Sequence, residues 1–415
     1  MTPLTNRASR PGRLRRAGLV SVVAMGLLVP LAGIAPSQAA AVPTGAPVVS
    51  TGGGSAKEEI NICGYVGCLK DGEVIKVMTR NIYLGADLRP AFEADGVAGF
   101  VAANGEIFNQ VTATNMPTRS KGLAKEIRKV QPDVVGLQEA ALWRTGPVDF
   151  DAALNQQPVA TNVYQDFLKI LMKRLNKNGK TYRVALVNDE FDFEGPADTD
   201  GNPNTGPLGA DINGRLTMRD AILIKRGAGI KIKGERGKHY SMGYEVNVAG
   251  LVNVKVLRGW QSLKVKIRNS PWIRFSNTHL ESFDDRTQRP SLRAQQAQEL
   301  VDKVKRGKQP NIVVGDFNSD RPGLVPGDGQ AYNVMRDNGY RSVGTKDPWS
   351  CCISGSYDLM TGSKKDFDHR VDQIFTSTPK KVKKISTKVT GRKKQNGYWN
   401  SDHAGVTSQL FVFRR

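Results

Sequence analysis

The sequence predicts a mixed α/β sandwich folded as one domain. Two patterns carry that prediction. Short apolar, β-branched runs alternate with helical periods over residues 74–187 and again over 291–316, and a series of strand-like runs separated by turn residues fills 221–277. With 415 residues, 39% hydrophobic and 24% charged, the chain can bury a sizeable core.

The first segment is set apart from that domain. Arg7, Arg10, Arg13, Arg15 and Arg16 precede an apolar run over 17–31 and the small residues Ser37-Gln38-Ala39-Ala40. This is the pattern of a secretory signal peptide over residues 1–40, and it predicts an extracellular mature chain. No other apolar run approaches membrane-spanning length. Removing the five arginines from the formal net charge of +21 leaves +16, a balance that favours polyanionic partners. Pro, Gly, Ser and Thr dominate residues 41–59, so 41–72 is expected to be a flexible linker ahead of a domain over 73–415. The four cysteines, Cys63, Cys68, Cys351 and Cys352, suit an exported, oxidised protein, and three pairings are open. No histidine stands at zinc-ligand spacing from them.

The domain then reads in order. Strands are predicted over 74–79, 134–138 and 182–187, with helices over 119–130 and 164–175. Leu123, Ile127 and Val130 share one face of the first helix. Residues 193–214, full of Gly, Pro, Asp and Asn, are expected to form a long loop. Strands over 221–225, 240–246, 261–267 and 273–277 lead to a helix over 291–305 that buries Ala297, Leu300, Val301 and Val304. Asn311-Ile312-Val313-Val314 is a strand buried on both faces, Gly315 allows close approach to its neighbours, and Asp316 and Asn318 emerge on one face while Phe317 points into the core. Strands over 371–376 and 405–413 close the chain.

The ends of these strands hold the chemistry. Asn81, Glu139, His279 and Asp316 each follow or end a strand, whereas Asp372 and the pair Asp402-His403 stand where strands begin. With suitable strand directions all of them share one rim, and such convergence points to catalysis. The residue types suit phosphoester hydrolysis. Glu139, with Asn81 or Asp402, offers hard oxygen ligands for Mg2+, with Mn2+ or Ca2+ as alternatives. Asp316 can align or deprotonate water, Asn318 and His279 can hold non-bridging oxygens, and Asp372 can orient His403. His239 lacks such context, and His369 in Asp366-Phe367-Asp368-His369-Arg370 is at most peripheral.

Six motifs then resemble, in order, those of the endonuclease/exonuclease/phosphatase superfamily: Met78-Thr79-Arg80-Asn81, Asp133-Val134-Val135-Gly136-Leu137-Gln138-Glu139, Asn277-Thr278-His279-Leu280, Gly315-Asp316-Phe317-Asn318, Arg370-Val371-Asp372-Gln373-Ile374 and Ser401-Asp402-His403. The resemblance spans about residues 74–413. It implies a four-layer α/β sandwich, two packed mixed β-sheets flanked by helices. It implies metal at Glu139 with Asn81 and Asp402 as neighbours, and His279, Asp316, Asn318, Asp372 and His403 around the scissile phosphate. After His403 the chain reads Ala404-Gly405-Val406, where many members carry an aromatic and a proline.

The lysine-rich segment 379–394 lies between Asp372 and Asp402 and is followed by Tyr398 and Trp399. Lys381, Lys384, Lys393 and Trp399 are therefore candidates for gripping a nucleic-acid backbone and stacking a base. The leading expectation is a secreted, monomeric Mg2+-dependent nuclease or related phosphodiesterase. A sphingomyelinase-like phospholipase C acting on phospholipid, or an enzyme of inositol phosphates, is the alternative. A binding protein that kept the fold and lost catalysis fits poorly with an intact set of Glu139, His279, Asp316 and His403.

Overall fold

A computed structural model describes residues 72–414 except 156, 251, 284–287, 306–308, 324–328, 354–357 and 378–379. The expected signal peptide, nearly all of the expected linker, and Cys63 and Cys68 lie outside the described residues. The strands are β1 (Gly72–Asn81), β2 (Val134–Gln138), β3 (Leu142–Gly146), β4 (Asn162–Asp166), β5 (Tyr182–Ala197), β6 (Ile212–Lys225), β7 (Ile230–His239), β8 (Tyr244–Val248), β9 (Val252–Val256), β10 (Gly259–Ile267), β11 (Ile273–His279), β12 (Asn311–Asp316), β13 (Arg341–Ser342), β14 (Asp372–Thr376), β15 (Val382–Thr390) and β16 (Gly405–Phe413). The longer helices are α1 (Gly96–Ala113), α2 (Met116–Val130), α3 (Phe167–Leu175), α4 (Leu292–Val304) and α5 (Gln330–Asp337).

Two large mixed sheets result. One runs β15-β16-β1-β2-β6-β3-β4, with β5 along the other edge of β6, and the second runs β13-β14-β12-β11-β10-β7. Val, Ile and Leu on their facing surfaces pack into one apolar layer, among them Val77, Val134, Ile222, Leu263, Ile312, Val314 and Leu410. α2 and α3 bury Leu123, Ile127, Phe167 and Leu171 beside the first sheet, and α4 and α5 bury Ala297, Leu300, Val301 and Met335 beside the second. This is the predicted mixed sandwich. Phe317, fully buried against Phe375 at 5.0 Å between ring centres, anchors the turn after β12 from the helix side. Burying such a ring contributes roughly 2–3 kcal/mol.

Two glycines let backbones approach. A Cβ at Gly136 would stand 2.3 Å from Asn277 Oδ1 and 2.6 Å from Val314, so this glycine fixes how closely the sheets meet. A Cβ at Gly315 would stand 2.2 Å from the Thr278 carbonyl. Both distances are far inside van der Waals contact. Asn277 bridges the sheets there, donating to the Leu137 carbonyl (3.0 Å) and Gln261 Oε1 (3.0 Å) and accepting from Gln138 Nε2 (2.6 Å).

Some boundaries differ from the sequence reading. The expected loop 193–214 shrinks to 198–211, because β5 and β6 pair along nearly their whole length, from Tyr182↔Lys225 to Ala197↔Ile212. Residues 164–166 are strand, not helix, since Asp166 caps α3 by accepting from Lys169 N at 3.0 Å. The strand expected over 240–246 is split: β7 ends at His239, Tyr240 donates its N–H to the Arg258 carbonyl, and β8 begins at Tyr244. Among the described residues no helix is long and apolar enough to cross a membrane.

Candidate active site

The register of the strands builds the site. β1 and β2 run parallel and end together at Asn81↔Gln138, while β16, antiparallel to β1, starts at the same rim. In the second sheet β11 and β12 run parallel and end at His279↔Asp316, and antiparallel β14 begins with Asp372 opposite Asp316. Glu139 stands at a break in the ladder. β2 and β3 pair successively with the same edge of β6, and the chain steps between them through Glu139 with φ of 59°. Asn318 also has a positive φ, 45°. Left-handed backbone at two non-glycine residues is strain of the kind that collects at functional sites.

Side chains from both sheets meet at this rim. Asn81 Nδ2 donates to Glu139 Oε1 (2.9 Å) and Asp316 Oδ2 (3.1 Å). His279 Nε2 lies 3.9 Å from Glu139 Oε1 and 3.8 Å from Asp316 Oδ2. His403 Nε2 lies 3.5 Å from Asp316 Oδ2, and its Nδ1 pairs with Asp372 Oδ2 at 2.9 Å. The Asn318 amide nitrogen is turned to the Leu280 carbonyl at 2.9 Å, and its backbone N–H donates to Asp316 Oδ1 at 2.9 Å. Asp402 is half-buried and accepts from Ser401 Oγ at 3.1 Å. Glu139 also accepts from Leu84 N at 2.7 Å.

The electrostatics divide the two histidines. Burial, with the Arg258 guanidinium adding to it, holds His279 well below the usual imidazole value. Burial pushes His403 the same way, but the charges of Asp372, Asp316 and Asp402 together hold it well above that value. One ring is thus neutral and the other cationic near neutral pH. Burial raises Glu139, with Asp402 adding to it, and burial raises Asp316 and Asp402 as well. Crowded, desolvated carboxylates of this kind are hard donors that a divalent cation would relieve, so Glu139 and Asp402 fit a Mg2+-type ion. Asn81 fits less directly: its Oδ1 takes the Tyr83 N–H at 2.9 Å and its nitrogen bridges two carboxylates. A second acidic group lies beside this one, since Asp316, Asp372 and His403 each bring a ligand atom within 4.8 Å of one another.

The expected substrate contacts are placed differently. Trp399 is 4% exposed, packs edge-on against Phe367 at 5.3 Å and donates its Nε1–H to the Gly362 carbonyl at 2.8 Å. Its ring is core and offers no face for a base. The basic segment forms the edge strand β15, paired antiparallel with β16 from Val382↔Val412 to Thr390↔Gly405. Lys384 sits opposite Leu410, five residues or roughly 17 Å along the strand from Gly405, and donates to the Gly344 carbonyl at 2.9 Å. Lys381 precedes β15 at that same far end. Lys393 stands at the near end, in a concavity of about 850 Å³ lined also by Lys125, Lys129, Lys364, Lys388 and Lys394. Glu126 at this concavity bonds Arg80 Nη2 (3.2 Å), and Arg80 Nη1 donates to the His403 carbonyl (2.6 Å), so the basic hollow adjoins the rim.

Several contributors escape the sequence reading. Arg258, buried, lies 3.3 Å from His279 Nδ1 and 3.5 Å from buried Glu281. Its position one residue before β10, which pairs Gly259 with His279, is the signal that marks it. His369 Nδ1 pairs with buried Asp320 Oδ2 at 2.5 Å, and its backbone bridges Cys351. Cys351 and Cys352 have their sulfurs in direct contact, 3.6 and 3.8 Å from His403 Nε2.

Behind the site, burial pushes Glu190 up to about 8 and Asp220 well above the carboxylate range. A carboxyl raised when folded holds its proton there while the unfolded chain has lost it. Stability from Glu190 is therefore fully present below about 4.5, falls as pH rises towards 8 and is flat beyond, at roughly 1.4 kcal/mol per pH unit. Glu190→Gln is expected to raise the Tm at pH 8 more than at pH 5. Equal shifts in thermal unfolding at the two pH values would contradict this.

Comparison with known proteins matches residues 81–403 to the family described as Endonuclease/Exonuclease/phosphatase family. No curated protein matches the chain. Among solved structures, an endonuclease/exonuclease/phosphatase family protein from Leptotrichia buccalis C-1013-b aligns with a TM-score of 0.50 at 17% identity, covering 81% of this chain and 99% of that one. One from Bacteroides vulgatus gives 0.49 at 15%, covering 82% and 99%. TDP2 of D. rerio, complexed with single strand DNA product, gives 0.46 at 17%, covering 81% and 99%. At such identities the likeness is one of fold.

Proposed function

The chain belongs to the endonuclease/exonuclease/phosphatase family, and on that premise we propose that it is a Mg2+-dependent phosphodiesterase acting on nucleic acid outside the cell. The observation that carries the catalytic reading is the meeting of Glu139, His279, Asp316 and His403, from two sheets, at separations of 3.5 to 3.9 Å. The extracellular setting is supported by the basic and apolar pattern of residues 1–40.

In this reading Glu139 and Asp402 hold the cation, which when bound neutralises phosphate oxygens and the leaving oxygen. Asp316 orients the attacking water and accepts its proton, a role its raised pKa favours. Asn81 keeps Asp316 and Glu139 at a fixed separation through its two donated bonds. His403, charged and steadied by Asp372, donates Nε2–H to a non-bridging oxygen as charge builds there. His279, neutral and fixed by Arg258 at Nδ1, donates from Nε2 on the opposite side. Asn318 positions Asp316 through its backbone N–H.

The basic concavity beside the rim supports a polyanionic substrate. The test is a panel of plasmid DNA, RNA, sphingomyelin, phosphatidylcholine and inositol phosphates with Mg2+, beside chelator controls. Cleavage of nucleic acid is the expected result, and release of choline phosphate with nucleic acid intact would overturn the substrate assignment. Affinity for single-stranded DNA, measured by anisotropy in chelator, is expected to fall steeply with salt. Lys125→Glu, Lys129→Glu and Lys393→Glu together should reduce the logarithmic salt slope by about 2–3, close to 0.7–0.9 for each phosphate that is no longer neutralised. An unchanged slope would remove the concavity from the binding surface.

A further inference from the structure

β7 is an edge strand of the second sheet, and its outward face is densely basic. Strand register sets its cations against those of β10. Lys233 stands opposite Lys264, and Lys231 opposite Lys266. Arg236 and Lys238 continue the tract towards the end of β7, opposite Ser262 and Trp260. Ile230, Ile232, Leu263, Val265 and Ile267 point the other way, into the apolar layer between the sheets. The four cations of β7 are exposed, and Lys264 and Lys266 are half-buried. Among the described residues none of these six forms an ion pair or a side-chain hydrogen bond. The only acid in β7, Glu235, lies in the irregular stretch between Lys233 and Arg236. Lys233 Nζ rests 4.2 Å from the centre of the Trp272 ring, which holds the charge without neutralising it. Like charges directly opposite each other across a ladder are destabilising. Lysine on an edge strand discourages pairing with another chain, yet Lys264 and Lys266 stand on β10, which is paired on both sides, so that account does not reach them.

The tract starts at the catalytic rim. His239, Gly259, His279 and Asp316 form one cross-strand row over β7, β10, β11 and β12, and Lys238 stands one residue from it. Lys264 and Lys266 lie five and seven residues along β10 from Gly259, roughly 17 and 23 Å from the rim. The strip is two strands wide, with about 5 Å between facing backbones. Such a shape suits a linear polyanion, and no exposed large apolar side chain lies in it for a lipid surface to take up. β5 lies over β7 and β14 over β16, so this tract and the hollow beside β15 flank the rim on opposite sides.

We propose that the outward face of β7 and β10 is a second nucleic-acid tract, which carries the phosphate backbone away from the rim on the flank opposite the basic concavity. Phosphates set between Lys233 and Lys264, and between Lys231 and Lys266, relieve the repulsion within each pair, and released counterions supply affinity independent of sequence. The identity of the polyanion rests on the function proposed above; the anion-binding surface does not.

The full chain carrying Lys231→Glu and Lys264→Glu is the test. Each new carboxylate faces a lysine, Lys266 or Lys233, so a like-charge pair becomes an opposite-charge pair and the Tm should hold or rise. Affinity for single-stranded DNA of about 30 nucleotides, by anisotropy in chelator, should fall about tenfold or more, and the logarithmic salt slope by about 1.4, at 0.7 for each of two phosphates. Lys231→Gln with Lys264→Gln removes the charges without adding any, and the same loss of slope is expected. The loss should add to that from Lys125→Glu, Lys129→Glu and Lys393→Glu, since the two surfaces share no residue. In hydrolysis, KM for the long strand should rise about tenfold or more, while kcat and the cleavage of a dinucleotide too short to leave the rim stay unchanged. An unchanged slope in both variants would overturn the tract, and so would an equal loss on dinucleotide and long strand. Lost binding to phosphatidylserine vesicles with DNA binding intact would assign the surface to lipid and overturn the nucleic-acid occupant. Should the wild type bind DNA through the tract yet cleave none, the proposed function fails and the tract stands. Cleavage of DNA with affinity indifferent to the substitutions would keep the function and remove the tract.

Discussion

His403→Ala is expected to lower kcat about a thousandfold while leaving the fold in place. Its Nε2 faces the rim and is held cationic, because Asp372 at 2.9 Å and Asp316 at 3.5 Å outweigh burial. A cation aimed at a developing phosphate charge is worth most inside a desolvated cleft. The backbone bonds of residue 403, from its N–H to Ser401 Oγ and from Arg80 to its carbonyl, do not involve the ring and survive the substitution. The other oxygen of Asp372, Oδ1, is buried without a hydrogen-bond partner among the described residues, so His403 is what this carboxylate serves. Asp372→Asn should therefore cost less than His403→Ala, and adding it to His403→Ala should cost almost nothing more, since the pair acts as a unit. The sign for pH follows from the raised pKa. His403 stays protonated as pH rises through the ordinary histidine range, so the alkaline limb of kcat should lie well above pH 6.5 in the wild type and move down in Asp372→Asn. Additive losses in the double variant, or a limb that does not move, would contradict this role.

Much of this arrangement is legible in the sequence because it rests on strand ends. A β-branched run has a direction and a terminus, and β1, β2, β11 and β12 end at Asn81, Gln138, His279 and Asp316, close to where the apolar runs themselves stop. What carries no signal is lateral. Whether β15 stands alone or pairs with β16 depends on hydrogen-bond partners that lysines do not reveal, so the sequence makes Lys381 and Lys384 candidate substrate contacts although they lie at the end of the strand far from the rim. Trp399 next to the Ser401-Asp402-His403 motif suggests a ligand contact, yet its indole is buried against Phe367. The break between β2 and β3 that exposes Glu139 depends on one edge of β6 serving both strands, which no local pattern encodes. The cysteine pair escapes for the same reason: 51 residues separate Cys352 from His403 along the chain.

Glu139→Gln should separate the cation from the rest of the machinery. The substitution is isosteric, and a glutamine oxygen can still accept the Leu84 N–H that Glu139 Oε2 accepts at 2.7 Å. It cannot also accept from Asn81 Nδ2 with an amide nitrogen in the Oε1 position, so Asn81 loses one of its two carboxylate partners and keeps Asp316 at 3.1 Å. Losing one full charge from a hard ligand set weakens Mg2+ binding steeply, because Mg2+ takes few protein ligands and relies on carboxylates. We expect the Mg2+ midpoint of the hydrolysis reaction to rise about a hundredfold and kcat at saturating Mg2+ to fall a further tenfold or more. Stability without added metal should rise instead of falling, since burial and Asp402 already strain the charged form of Glu139. That opposition is the discriminating feature. A residue that merely shapes the turn at φ of 59° would lose stability on substitution and leave the Mg2+ midpoint where it was. Isothermal titration with Mg2+, thermal unfolding in chelator and hydrolysis as a function of Mg2+ read the three quantities separately. A normal Mg2+ midpoint in Glu139→Gln would place the cation elsewhere, with the neighbouring group of Asp316, Asp372 and His403 the next candidate.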